Sequence, residues 1–189
     1  NYTLNLSHDS SNENPVGIYI KDIQVTQSAL NYVRLPFSSP LWVLYSSGTT
    51  GAPKAITHSH GGVLLELNKY HAFHNDVKKD ELFFWYTTTG WMMWNFLHGA
   101  WLRGASILIY DGSPAYPEVD QMWKMASELK VNHFGTSAPY ILANRKAGMN
   151  PKVNYDLSKL RSIGSTGSPL PPEGFDYVYE KIKEDVWLT

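Results

Sequence analysis

Short apolar runs alternate with stretches of helical periodicity from position 40 to the end of the chain. The apolar runs predict strands at 41–46, 82–86, 106–110, 132–135, 160–164 and 186–189. The helical pattern predicts helices at 59–74, 92–102, 118–130, 138–147 and 172–181. Alternation of this kind builds βαβ units, so we expect an α/β fold with a mainly parallel sheet and flanking helices.

The first 39 residues lack this regularity. They are polar and rich in asparagine, and they predict loops with one or two short strands, one of them at 17–23. We therefore expect an irregular segment over 1–39 that leads into an α/β core over 40–189. No internal repeat or low-complexity linker divides this core.

Composition excludes several classes of function. The 189-residue chain carries a formal net charge of −1, which gives no electrostatic reason to expect a nucleic acid or an anionic membrane as a partner. No apolar run reaches the roughly 18 residues that a membrane span needs, and the first residues lack the pattern of a signal peptide. Cysteine is absent, which excludes disulfides and thiol catalysis and favours a cytoplasmic protein.

The densest chemical signal is a run of hydroxyls and glycines directly after the predicted strand 41–46. Backbone N–H groups of a glycine-rich loop can point at phosphate oxygens, because glycine tolerates positive φ and close approach. Hydroxyls add donors, and a lysine adds a positive charge. The run therefore predicts a loop that binds the phosphates of ATP. Its candidate ligands are Ser46, Ser47, Gly48, Thr49, Thr50, Gly51 and Lys54.

The spacing within this loop excludes the P-loop of kinases and GTPases. That pattern needs two glycines separated by four residues, followed by Lys and then Ser or Thr. Counted from Gly48, the second glycine position holds Pro53, and Ala55 follows Lys54. No hydroxyl is therefore placed after the lysine to hold magnesium.

Three further segments follow this loop along the chain. They are Thr87-Thr88-Thr89-Gly90-Trp91-Met92-Met93, Gly164-Ser165-Thr166-Gly167-Ser168-Pro169 and Glu184-Asp185-Val186-Trp187-Leu188-Thr189. Together with the phosphate loop, they resemble the adenylate-forming enzymes, which include acyl-CoA synthetases, luciferases and the adenylation domains of peptide synthetases. The resemblance covers 35–189 and implies an AMP-binding core that is part of a large N-terminal domain.

The resemblance implies a reaction in two steps. A carboxylate attacks the α-phosphorus of ATP to give an acyl-adenylate and pyrophosphate, and the thiol of coenzyme A then displaces AMP. The implied substrates are ATP, a short carboxylic acid and coenzyme A, with Mg²⁺ as cofactor. The family's magnesium ligand, C-terminal domain and catalytic lysine are expected beyond Thr189. We therefore expect no catalytic residue within these 189 residues, no activity from them alone, and the rest of the polypeptide as their partner.

The resemblance also implies roles for individual residues. It implies that adenine is bound by Gly167, Ser168 and Pro169. It implies that the acyl pocket and the gate to the pantetheine tunnel are formed by Trp91, Met92, Met93, Thr166 and Leu188. Taken alone, the turn at 164–169 could simply join a strand to a helix, and the aromatic run at 91–94 could simply be core packing.

The acid is predicted from the wall of this pocket. Leu188 occupies the place where acetate-using relatives carry a tryptophan, so a longer acid has room, and Thr166 could reach a polar ketone. The sequence therefore favours acetoacetate as the acid. Acetate, propionate or butyrate is the alternative within the same class, and a non-catalytic nucleotide-binding fragment is the alternative from another class.

Four histidines have spacings that can bind a metal ion on a helix or strand. They are His58, His60, His71 and His74. The sequence has no His-Glu-x-x-His motif and no cysteine, so we predict no metal site within these residues.

Overall fold

The computed structural model describes residues 2–6, 23–27, 29, 31–46 and 51–189. The chain divides into two compact units, Asn1–Pro36 and Phe37–Thr189. In the first unit, β1 (Tyr2–Leu6) pairs antiparallel with β2 (Ile23–Gln27). The predicted strand at 17–23 lies outside the described residues except for its last position, where β2 begins.

The second unit begins with an antiparallel hairpin. Its strands are β3 (Pro40–Ser46) and β4 (Lys54–Ser59), with Ser46 opposite Lys54 at the end of the ladder. The strand prediction at 41–46 is confirmed, but β4 was not predicted. The phosphate loop is therefore the connection of a two-stranded hairpin and does not follow a strand of the parallel sheet.

A five-stranded parallel sheet forms the centre of this unit, with the strand order β6-β5-β7-β8-β9. This sheet confirms the predicted α/β class. Its strands are β5 (Leu82–Trp85), β6 (Ser106–Leu108), β7 (His133–Ser137), β8 (Ser162–Thr166) and β9 (Trp187–Leu188).

Helices connect these strands, mostly as predicted. The α-helices are α1 (His60–Lys69), α2 (Met92–His98), α3 (Gln121–Glu128), α4 (Ala138–Lys146), α5 (Pro151–Asn154) and α6 (Pro172–Tyr177). A π-helical turn at Tyr70–His74 follows α1, a 3₁₀ turn at Gly99–Arg103 follows α2, and a second π-helical turn at Val178–Ile182 follows α6. Among the residues described, no helix is both long and apolar enough to cross a membrane.

The two faces of the sheet bury separate cores. Successive strand side chains point to opposite faces, and β5 shows this clearly. Phe84 packs with Trp123 of α3 and the residues of α4 and α6, whereas Phe83 and Trp85 pack with Phe96 of α2. Helices thus cover both faces of the sheet, as the βαβ pattern requires.

The order of connections reverses between β5 and β7. The chain passes from β5 outward to β6, and then crosses back to β7 and continues to β8 and β9. In open α/β sheets, ligands bind at the carboxyl ends of the strands beside such a reversal. The segments that leave β5, β7 and β8 at that edge are therefore expected to form a binding site.

Candidate functional site

Trp85, the last residue of β5, extends across β7 and β8, the next two strands on one side of the sheet. A Cβ placed on Gly135 of β7 would lie 2.0 Å from the Trp85 ring, and one placed on Gly164 of β8 would lie 2.5 Å from it. Both positions must therefore be glycine to admit the indole. Gly164 was expected both as the last residue of the strand at 160–164 and as the first residue of the turn at 164–169, and the structure places it inside β8.

Two hydroxyl side chains share this face of the sheet beyond the Trp85 ring. Ser137 and Thr166 come two residues after Gly135 and Gly164, so they project from the same side as those glycines. They are register partners on adjacent strands, and both are half-buried. The carboxyl edge thus carries an aromatic surface bordered by two hydrogen-bonding groups. Sequence reasoning identified Thr166 but missed Trp85 and Ser137.

Trp91 brings the segment after β5 against the turn after β8. Gly167 has a φ of +89°, and a Cβ added there would lie 3.7 Å from the Trp91 ring. The positive φ favours glycine at this turn, and the Trp91 ring lies beside it. Ser168 and Pro169 follow in exposed positions. The structure therefore brings together the predicted gate residue and the predicted adenine turn.

The two methionines after Trp91 differ in their surroundings. Met92 is 48% exposed at the start of α2. Met93 is 8% exposed and belongs to the core cluster that contains Trp85. Met92 is therefore free to contact a ligand from solution, whereas Met93 can shape a pocket only through the packing behind it.

Leu188 is not brought together with Thr166. It pairs in register with Ile163 of β8 and packs against the core cluster on the face opposite to Trp85. Thr166 projects from the Trp85 face, because it lies three residues after Ile163 along β8. The two side chains predicted to share the acyl pocket therefore lie on different faces of the sheet.

The phosphate loop is described only at its two ends. Ser46 and Lys54 face each other across the hairpin, and Gly51 and Lys54 are exposed. A Cβ added to Gly51 would have no atom of the described residues within 4 Å. Ser47, Gly48, Thr49 and Thr50 lie outside the described residues.

Two of the four histidines considered as metal ligands have structural partners. His58 Nδ1 accepts a hydrogen bond of 3.0 Å from the indole N–H of Trp42, and His71 is fully buried beneath α2. Over the described ranges, no three His, Cys, Asp or Glu side chains come together in a way that could hold a metal ion.

A buried serine, a buried histidine and a half-buried glutamate at the opposite edge of the sheet resemble a hydrolytic triad. Ser162 Oγ lies 2.7 Å from His133 Nδ1, and His133 Nε2 lies 2.8 Å from Glu81 Oε2. Ser162 is only 7% exposed, so a substrate cannot reach its hydroxyl. Arg161 also pairs with Glu81 and with Asp76. This network joins the amino ends of β5, β7 and β8 and has a structural role.

Comparisons with known proteins show which family the chain is similar to. The sequence model of the family described as "AMP-binding enzyme" matches residues 7–187. The chain is 52% identical over 160 residues to acetoacetyl-coenzyme A synthetase of Rhizobium meliloti (strain 1021), covering 85% of this chain and 25% of that protein. It is 39% identical over 180 residues to acetoacetyl-CoA synthetase of Danio rerio, covering 92% and 27%.

The chain is also similar to a solved structure. The structure of acetoacetyl-CoA synthetase from Streptomyces lividans superposes with a TM-score of 0.81 at 48% identity, covering 86% of this chain and 26% of that one. The chain thus spans about a quarter of the length of the relatives it matches.

Proposed function

Because the chain belongs to the family of AMP-binding enzymes, we propose that the complete protein is an acid–CoA ligase that activates acetoacetate with ATP. The observation that carries this proposal is the position of Trp91 beside the turn at Gly167, since it sets a candidate acyl pocket next to a candidate nucleotide site. The choice of acetoacetate is supported by the relatives in bacteria and vertebrates, which are named acetoacetyl-CoA synthetase.

The proposed chemistry has two halves. The acetoacetate carboxylate attacks the α-phosphorus of ATP, which forms acetoacetyl-adenylate and releases pyrophosphate. The thiol of coenzyme A then attacks the acyl carbon and displaces AMP. Such transfers depend on fixed donors and positive charge around the phosphates more than on a protein nucleophile.

The residues at hand supply binding and orientation for this chemistry. The hydroxyls and N–H groups of the loop at 46–54, with the ammonium of Lys54, would hold the β- and γ-phosphates. The open backbone at Gly167 would admit the flat face of adenine, with Ser168 and Pro169 beside it. Trp91 and Met92 would contact the acyl and pantetheine groups, and Met93 would shape the pocket from behind.

Magnesium is the cofactor expected for the triphosphate, since it would neutralise the charge of the leaving pyrophosphate. Mg²⁺ prefers carboxylate and water oxygens in near-octahedral geometry. Among the residues that the structure describes, no three His, Cys, Asp or Glu side chains come together in a way that could hold a metal ion. We assign no magnesium ligand among them.

The proposal is tested by pyrophosphate release from the complete protein over a panel of small acids. We expect the highest kcat/KM for acetoacetate. A highest kcat/KM for acetate, propionate or butyrate would support the ligase activity but assign it to another acid. If the protein binds nucleotide but releases no pyrophosphate from ATP with any of the acids, a non-catalytic nucleotide-binding protein is favoured instead.

Leu188→Trp tests whether this position limits the length of the acid. If Leu188 lines the acyl pocket, the indole refills it, and preference moves from acetoacetate toward acetate by at least about tenfold, or ~1.4 kcal/mol, in relative kcat/KM. Competing pairs of acids in the pyrophosphate assay measure this ratio. Lower thermal stability with an unchanged ratio would instead assign Leu188 to the core on the opposite face.

A further inference from the structure

We propose that Trp85 determines specificity for the acid: its ring limits the length of the acyl chain, and its indole N–H donates a hydrogen bond to the oxygen of a 3-oxo group. This inference rests on the proposed function and concerns the same site. It assigns the inner end of the acyl pocket to a residue inside β5, deeper in the sheet than Trp91.

The position of the ring supports the limit on length. Trp85 extends from β5 across Gly135 and Gly164, so its ring covers the sheet directly below Ser137 and Thr166. An acid that enters between Trp91 and Thr166 and continues toward the sheet therefore meets this ring. Phe96 holds the ring edge-on from α2, with 5.4 Å between ring centroids, so the indole cannot yield easily to a longer chain.

The indole nitrogen supports the second part. Trp85 is 8% exposed, and its N–H has no hydrogen-bond acceptor among the described residues. Trp123, the large buried tryptophan on the other face, does have one, since its N–H donates to Asn144 Oδ1 at 2.9 Å. A buried donor left unpaired costs about 1–3 kcal/mol.

A bound acid can supply the missing acceptor. Acetoacetate differs from butyrate by a ketone at its third carbon, so only acetoacetate brings an oxygen to the inner end of the pocket. Met93, in the same core cluster, is unbranched and can adjust its conformation as the acid enters. A ring with an unpaired N–H therefore favours the 3-oxo acid over the alkyl acid of equal length.

Trp85→Phe in the complete protein tests both parts, because it shortens the ring and removes the N–H. We expect the kcat/KM ratio of 3-oxohexanoate to acetoacetate to rise at least about tenfold. We also expect the ratio of acetoacetate to butyrate to fall by about tenfold. Trp123→Phe is the matched control, because it makes the same change in the core of the opposite face and should leave both ratios unchanged.

Gly164→Ala gives a second variant that keeps Trp85. Its Cβ would lie 2.5 Å from the ring, which forces the indole off the sheet and into the pocket. We expect the ratio of acetate to acetoacetate to rise, opposite in direction to the effect of Trp85→Phe. This variant also decides the question if Trp85→Phe does not fold.

The outcomes separate this inference from the proposed function. Wild-type protein that activates no acid in the panel would overturn the proposed function and this inference with it. If the wild type activates acetoacetate but the variants keep the ratios of 3-oxohexanoate and of acetate to acetoacetate, only the limit on chain length is overturned. An unchanged ratio of acetoacetate to butyrate in Trp85→Phe would overturn the hydrogen bond.

Discussion

We expect the double substitution Lys54→Ala with Gly51→Val to lower kcat/KM for ATP in the complete protein by at least about a hundredfold. The first change removes the positive charge at the mouth of the hairpin, and the second blocks close approach of the backbone to a phosphate. Each lost contact should cost about 1.5–3 kcal/mol. No described residue lies within 4 Å of a Cβ added to Gly51, so the valine meets no crowding from the part of the fold that the structure describes.

Pyrophosphate release at varied ATP concentration measures this effect. Lys69→Ala is the matched control, because Lys69 is an exposed lysine on the neighbouring helix α1 that pairs with Glu66 at 2.7 Å. The control should keep kcat/KM for ATP within about twofold. Undiminished adenylation in the double variant would falsify the assignment of the loop to the phosphates.

The hairpin shows where the sequence pattern is insufficient. The run before the loop is apolar and aromatic, and it was correctly predicted as a strand. Its partner, β4, contains one large apolar residue, Ile56, which lies opposite Leu44. A strand with so little apolar pattern adopts its conformation because it pairs with its neighbour, and its own sequence does not indicate that pairing. The parallel sheet was predictable because its strands carry apolar runs and alternate with helices.

The candidate site was predictable where a motif marks it and not where packing decides it. Trp91 and Gly167 belong to motifs, and the structure places them side by side. Trp85 resembles an ordinary core aromatic, so it was missed. A signal was present, since isolated glycines at 135 and 164 within predicted strands indicate close approach of another group. The prediction for Leu188 depended on the face of β9 from which its side chain projects, and a register shift of one residue reverses that face.

We expect acid to destabilise the protein, with His71 as a main contributor. Burial lowers the pKa of His71 to about 4, from 6.5 in water, against the opposing effect of its hydrogen bond to the Phe96 carbonyl. The ring is neutral, and its Nε2–H donates this bond at 3.0 Å while Nδ1 has no partner among the described residues. Burial likewise lowers the pKa of His133.

The direction of the pH effect follows from proton binding. Between pH 6.5 and 4, the unfolded chain protonates this histidine and the folded protein does not. The stability from neutral His71 is therefore complete above pH 6.5 and is lost as the pH falls toward 4, by about 3 kcal/mol in total. His71 is hydrogen-bonded to Phe96 in the second half of α2, and Met92 begins the same helix. The loss of stability therefore also affects the helix that carries a site residue.

His71→Gln removes the titrating group and keeps a donor for the Phe96 carbonyl. We expect this variant to lose about 2–3 kcal/mol less stability than the wild type when the pH is lowered from 6.5 to 4. Urea unfolding at both pH values gives the two free energies. His74→Gln is the control, because it makes the same substitution at an exposed position three residues further along the same turn. Equal acid sensitivity in His71→Gln and wild type would show that His71 is not neutral in the folded protein.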